Sequence, residues 1–304
     1  MDNNIFSIII PTYNRIESLI STLKQLESQT IKNFEVIIVN DHSSIEYNEN
    51  TWLNEFKLFP IQYYYCEKNL GPAGARNIGA NLAKNEWILF LDDDDKFADN
   101  KLEIIFNEIK NNDYNFIYNK SIIFMVNEKC SYETSQRDIA NIENPIELIK
   151  KFNFIGSAPN FSIKKNLFIS SGGFNDNLRA IEDYEFLIRV IQNDNTRIGF
   201  INKPLTNCFY VTKYSSVSKN VKNIKNAGYW IMNNHDDINI KKFKSNLNLM
   251  LAHAQLMSLS RKSSIYYFLS ILHGDNKIKS LLLSFISLIS PVLLIKFRCL
   301  KQKS

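Results

Sequence analysis

The sequence predicts an α/β fold, a mostly parallel sheet flanked by helices, with a helical extension at the C-terminus. Three observations predict it. Apolar runs of strand length alternate with segments of helical period through the first 91 residues. Their order, βαβαβαβ with short connections, implies right-handed crossovers and parallel strands. Beyond Tyr214 the strand-like runs stop, and helical periods follow one another between Asn-, Lys- and Ser-rich stretches.

The elements follow in order. Ile5–Ile10 is an apolar strand stopped by Pro11, and Ile16, Leu19, Ile20, Leu23 and Leu26 recur at helical spacing after it. Phe34–Val39 is a second strand ending at Asn40-Asp41, a weaker helix covers about Asn50–Leu58, and Ile61–Tyr65 is a third strand. Gly71-Pro72 opens a helix to about Ala83, and Trp87–Leu91 is the fourth strand. Farther on come a helix near Lys101–Lys110, a strand near Phe116–Val126 and a polar loop or insertion over Asn127–Asn141. A helix after Pro145, another over Glu182–Gln192 and short strands near Arg197–Ile201 and Thr206–Val211 complete a catalytic unit of residues 1–212. Residues 213–304 form the helical region. Ligands of parallel sheets bind at the carboxyl ends of the strands, which places Pro11–Asn14, Asp41, the loop before Gly71 and Asp92–Asp95 along one edge.

Composition narrows the classes. The chain has 304 residues, 45% hydrophobic and 22% charged, enough for one large catalytic domain plus an appendage. Its net charge of +5 is uneven, because six basic residues and no acidic ones lie from Lys277 onward; without those six the rest carries −1. A nearly neutral body argues against a nucleic-acid binder. The four cysteines, Cys66, Cys130, Cys208 and Cys299, form no CxxC pair, so neither a zinc site nor a disulfide framework is expected, and a reducing cytosol fits. The polar start Met-Asp-Asn-Asn leads straight into a strand, so no signal peptide is expected.

Asp92-Asp93-Asp94-Asp95 directly follows the buried-strand run Trp87–Leu91. Four adjacent carboxylates repel one another. They suit a divalent cation that also grips phosphates, or else a solvated acidic turn capping the next helix. Asp41, at a strand end, can accept hydrogen bonds from a nucleotide or can cap a turn. Arg76 lies in the small-residue segment Gly71–Gly79, where it can meet a diphosphate or simply occupy the surface. Glu182-Asp183 heads a helix, which its dipole favours, and one of the two can also serve as a general base. No GxSxG elbow, GxxxxGK[ST] loop or HExxH set is present.

Taken together, Pro11-Thr12-Tyr13-Asn14-Arg15, Val39-Asn40-Asp41, Gly71–Asn77, Phe90–Asp95, and Gly172-Gly173-Phe174 followed by Glu182-Asp183-Tyr184-Glu185 resemble the family 2 glycosyltransferases of the Rossmann-like GT-A fold, in order and spacing, over about residues 5–212. The resemblance implies an inverting hexosyl- or N-acetylhexosaminyltransferase that uses a nucleoside-diphosphate sugar, a UDP-sugar above others, with Mn²⁺ or Mg²⁺. By position it implies a donor pocket of Pro11, Thr12, Tyr13, Arg15, Asp41, Arg76, Asp92 and Asp93. Asp92 would face the ribose and Asp94 would hold the metal, with Asp92 as a second candidate ligand. Asp183 would be the catalytic base, with Gly172, Gly173, Phe174 and Glu182 on the acceptor side.

The chain departs from the family in one place. Lys213 stands where a metal-binding His is common, so either the metal loses one protein ligand or the ammonium contacts the diphosphate. A QxxRW signature is missing, which implies addition of a single sugar. The tail, residues 277–304, is apolar over Ile278–Ile295 with basic flanks and is shorter than a bilayer span. It suits a segment lying on an anionic cytoplasmic leaflet, or a buried helix or oligomer contact. The expectation is a transferase acting on a glycan or lipid-linked acceptor in bacterial surface polysaccharide synthesis, peripheral on the inner face of the membrane. The alternatives are a sugar nucleotidyltransferase, which should carry a Gly-rich loop with Arg and Lys after the first strand, or a catalytically degenerate sugar-nucleotide-binding protein.

Overall fold

A computed structural model describes residues 5–212, 219–236 and 238–300; Lys213 lies outside them. The first half contains β1 (Phe6–Thr12), α1 (Ile16–Leu26), β2 (Phe34–Asn40), α2 (Glu49–Trp52), β3 (Ile61–Tyr65), α3 (Gly71–Leu82) and β4 (Trp87–Phe90). After the acidic turn come β5 (Lys96–Phe97), α4 (Lys101–Asn111), β6 (Phe116–Met125), β7 (Cys130–Glu133), α5 (Pro145–Ile149), β8 (Phe161–Lys164), α6 (Lys165–Ser170), α7 (Glu182–Gln192) and β9 (Ile198–Tyr210). The C-terminal helices are α8 (Val221–Asn234), α9 (Ile240–Met257), α10 (Ser263–Ser270), α11 (Lys277–Ile289) and α12 (Pro291–Leu300).

The strands form one sheet in the order β3-β2-β1-β4-β8-β6-β9-β5, with β7 paired to β6. The first four are mutually parallel, as the alternation with helices requires. Beyond β4 the sheet is mixed: β8 runs antiparallel to both β4 and β6, whereas β6 and β9 are parallel.

Strand alternation divides the core between the two faces. From β1, Phe6, Ile8 and Ile10 join Leu19 and Leu23 of α1 on one face, while Ile9 joins α3 and α7 on the other. Helix α3 lies tightly on β1: a Cβ on Gly79 would come within 2.3 Å of an Ile9 methyl carbon. The C-terminal helices belong to the same interior. Tyr184 of α7 stacks on Phe243 of α9 at 6.0 Å, and α9, α10 and α12 cover the ends of β6 and β9.

Several expectations need correction. Pro11 does not stop the first strand, which runs on to Thr12. The expected helix near Asn50 is one short turn followed by a 3₁₀ turn at Leu53–Glu55. The polar loop after Val126 contains β7, and the two strands expected around Pro204 are one, β9, with a bulge opposite Lys120 where proline's missing N–H does no harm. Cys130 and Cys299 form a disulfide with Cα atoms 6.0 Å apart, joining β7 to α12. Spacing along the chain carries no information about two cysteines 169 residues apart, so the cysteine argument for a reducing compartment falls.

Candidate active site

The acidic turn alternates. Asp92 and Asp94 point outward, with side chains 30% and 45% exposed, whereas Asp93 is fully buried and Asp95 nearly so. The inward pair is structural. Asp93 sits 2.7 Å from a guanidinium nitrogen of Arg15, and its carbonyl accepts hydrogen bonds from the hydroxyls of Ser18 and Thr22 on α1. Asp95 accepts the Phe209 N–H of β9 at 3.2 Å. Asp93 therefore departs from its expected place in the donor pocket, because its carboxylate faces the protein. Arg15 spans the turn by pairing with Asp94 as well.

Arg76 ties this turn to the head of α7. Its buried guanidinium lies 2.5 Å from Asp92 and 3.0 Å from Glu182, and it rests over the Phe174 ring at 5.7 Å from the centroid. Phe174 is buried, so it supports Arg76 and presents no surface to an acceptor. The Gly172-Gly173 turn places that ring. Gly173 has φ +63, and a Cβ there would lie 2.8 Å from Asn77 Oδ1, while Asn77 bonds both the N–H and the carbonyl of Phe174. Arg189 closes the turn from behind, donating to the Gly173 carbonyl while it forks onto Glu185. Asn77 and Arg189 were not singled out in the sequence; the only signal was their place in segments that already held candidates.

Asp183 follows Glu182 but has no ion-pair partner within salt-bridge distance among the described residues; its Oδ1 accepts the Tyr184 N–H at 2.7 Å. Burial, then the charge of Glu182, push its carboxyl up to about 7, and Arg76 pulls the other way. Burial likewise raises Asp93 to about 7 and moves Asp94 upward against the pull of Arg15. Asp95 lies well above the usual carboxylate range because it is buried beside Asp92 and Asp94.

At the ends of β1 and β2, Pro11 and Thr12 are buried and Tyr13 is exposed. Thr12 and the Arg15 N–H both bond the Tyr47 hydroxyl, which fixes the loop. Asp41 accepts the N–H groups of Leu70 and Gly71 at 2.7 and 2.8 Å, so it caps α3. An exposed arginine missed in the sequence, Arg179, lies beside this cap: its guanidinium is 3.0 Å from where a Cβ on Gly71 would stand, and its charge acts on Asp41. A cavity of about 400 Å³ opens at the end of β2, lined by Asn40, Ser43, Tyr47, Tyr63 and Tyr65 together with Glu46 and Glu49.

The outward carboxylates fit a divalent cation. Mg²⁺ and Mn²⁺ prefer oxygen ligands, and one or two carboxylates plus phosphate oxygens make an ordinary set. Among the described residues no group of three or more His, Cys, Asp or Glu side chains gathers to hold a metal by itself. A cation held by Asp92 and Asp94 would need a phosphate-bearing ligand to complete its coordination; in this structure Arg76 and Arg15 pair with the two carboxylates.

The chain is 38% identical, over 96% of its length and 98% of the relative's, to an uncharacterized glycosyltransferase of Haemophilus influenzae. It is 33% identical over 143 residues, 43% of this chain and 55% of the relative, to UDP-Glc:alpha-D-GlcNAc-diphosphoundecaprenol beta-1,3-glucosyltransferase WfgD of Escherichia coli. The fold resembles that of S. aureus TarS 1-349 in complex with UDP-GlcNAc, with TM-score 0.58 and 19% identity over 95% of this chain and 89% of that one. The model of glycosyl transferase family 2 matches residues 7–182, a stretch that opens on β1 and closes on the Arg76 partner Glu182. An acidic turn at the sheet edge, joined through one arginine to an acid pair on α7, thus sits on the mixed α/β frame of the GT-A enzymes, and the chain belongs to glycosyl transferase family 2.

Proposed function

We propose that the protein transfers one hexosyl or N-acetylhexosaminyl group, with inversion, from a nucleoside-diphosphate sugar to a hydroxyl of a glycan or lipid-linked acceptor in bacterial surface polysaccharide synthesis. The observation that carries this is the contrast at the head of α7. Glu182 is bound to Arg76, whereas Asp183 has no ion-pair partner within salt-bridge distance among the described residues and a carboxyl raised to about 7. A general base works best with its pKa near the operating pH.

The residues divide the work. Tyr13, Asp41, Arg179 and the tyrosine-lined cavity form the nucleoside end of the donor site, with Asp92 at the ribose. A UDP-sugar is favoured, because the WfgD relative is named for UDP-Glc and TarS was solved with UDP-GlcNAc. Asp94, with Asp92 beside it, would hold Mn²⁺ or Mg²⁺, which when bound stabilises the charge on the departing diphosphate. Asp183 takes the proton of the acceptor hydroxyl. That oxygen bonds to the anomeric carbon from the face opposite the diphosphate, which leaves with the electron pair of the broken C–O bond.

Residues 1–212 carry the chemistry, with helices α8 to α12 as an extension. The acceptor of the WfgD relative is by name a diphosphoundecaprenol lipid, and a nucleotide-sugar donor is made in the cytoplasm, so the enzyme would work peripherally on the inner face of the membrane. The intact Asp92, Asp94 and Asp183 speak against a degenerate binding protein. Asp183→Asn keeps size and most hydrogen bonding but cannot accept a proton. It is expected to bind UDP-sugar normally in a thermal-shift assay and to lose about 10²–10⁴-fold in transfer rate. Near-wild-type transfer would remove Asp183 as the base.

A further inference from the structure

The last three helices carry large apolar side chains on their outer faces, and two of them bury serines. In α11 the fully buried side chains are Ser280 and Ser287, with Leu283 and Ile286 half-buried against the core, while Ile278 and Phe285 are 79% and 63% exposed. In helix α10, Ser263, Ser264 and Ser270 are buried together with Tyr267, and Ile265 and Phe268 face out. The serines join the helices to one another. Ser270 bonds Ser280 at 3.1 Å, and Ser284 donates to the Ser264 carbonyl at 2.8 Å. Helix α12 turns Leu294, Ile295 and Cys299 inward and leaves Leu293, Phe297 and Leu300 exposed. A helix packed for water keeps its large apolar residues on the inward stripe and polar ones outside, which these outer faces do not do. Small hydroxyl residues between helices, with large aliphatic ones outside, is how helices pack when their surroundings are lipid.

We infer that the outer faces of α10, α11 and α12 form a ready-made docking surface for an anionic lipid leaflet. Charge selects this occupant. From Lys277 to the end of the chain there are six basic residues and no acidic ones, and Asp275, just before α11, is paired with Lys242. A second copy on this face would set one cationic apolar surface against another, whereas an anionic leaflet matches both properties. Among the described residues no helix is long and apolar enough to cross a membrane, so the three lie in its plane at the headgroup boundary. The surface extends beyond the basic tail, because α10 supplies part of it. It is also preformed, since an Arg298 hydrogen bond to the Tyr267 hydroxyl at 2.7 Å holds α12 against α10.

The inference deepens the membrane-side role proposed above and rests on it only for the choice of the cytoplasmic leaflet. The test is flotation of the full-length protein with phosphatidylcholine vesicles, with and without phosphatidylglycerol, across a salt series. Wild type is expected to float with the anionic vesicles at low salt, to be released as salt rises, and to show unchanged far-UV circular dichroism on binding. Phe268→Glu combined with Phe285→Glu changes only exposed side chains and should cut vesicle partitioning roughly tenfold or more while leaving the melting temperature unchanged. Absence of wild-type binding at low salt overturns the inference. So does a dimer that the double variant dissociates, and a gain in helicity on vesicle addition overturns the preformed surface. UDP-sugar binding and transfer to a short soluble acceptor, measured alongside, report on the transferase reading separately.

Discussion

Glu182 and Asp183 are adjacent and both acidic, and the difference between them is the position of one guanidinium. Arg76 takes Glu182 and leaves Asp183 raised to about 7 by burial and by its neighbour's charge. A base acts in its ionised form, so transfer should rise with pH through about 7 and fall away below it. Glu182→Gln removes one cause of the rise, so a kcat/KM profile of that variant should show its acid limb displaced to lower pH. An unmoved limb would separate Glu182 from the titration. Asp94→Ala belongs to the same scale. Its side chain is 45% exposed, and Arg15 keeps Asp93 as a partner, so the fold should persist while Mn²⁺-dependent stabilisation by UDP-sugar vanishes in a thermal-shift assay. Full turnover in excess EDTA would reject the metal assignment. The candidate acids were legible because they sit at the ends of apolar runs. The alternation that turns Asp93 and Asp95 inward was not, because it depends on Arg15 and on β9, a strand more than 100 residues downstream.

Among the elements, α1, β3 and α7 have the bounds that periodicity predicts, since each carries an uninterrupted pattern. Strand β8 was not legible: Phe161-Ser162-Ile163-Lys164 is too short to show a period, and it exists because β4 and β6 both pair with it. The same dependence on neighbours governs α3. Gly79 lets this helix approach β1, and a side chain there must push it from Ile9. Gly79→Val should cost about 1–3 kcal/mol by overpacking, more than the few tenths returned by helix propensity. Urea denaturation measures the loss, and a shift of α3 carries Arg76 with it, so donor affinity should fall too. Unchanged stability would mean that the contact relaxes freely.

At the scale of the whole molecule, the C-terminal region was legible as helices but not as a partner of the sheet. Its contacts with β6, β7 and β9 span most of the chain, and local sequence cannot encode them. The disulfide gives this arrangement a covalent consequence. Cys130 and Cys299 bracket α7, β9 and most of the C-terminal helices, so the stretch between them is a closed ring. A protease that cuts once anywhere inside the ring opens it without releasing a fragment. On a denaturing gel without thiol, nicked protein should migrate as a single full-mass species, and adding reductant should split it into two. Cys299→Ser should give the two pieces under either condition. The catalytic strands and the helices of the proposed lipid-facing surface would then share one fate on cleavage, decided by the redox state of a bond far from the acidic turn.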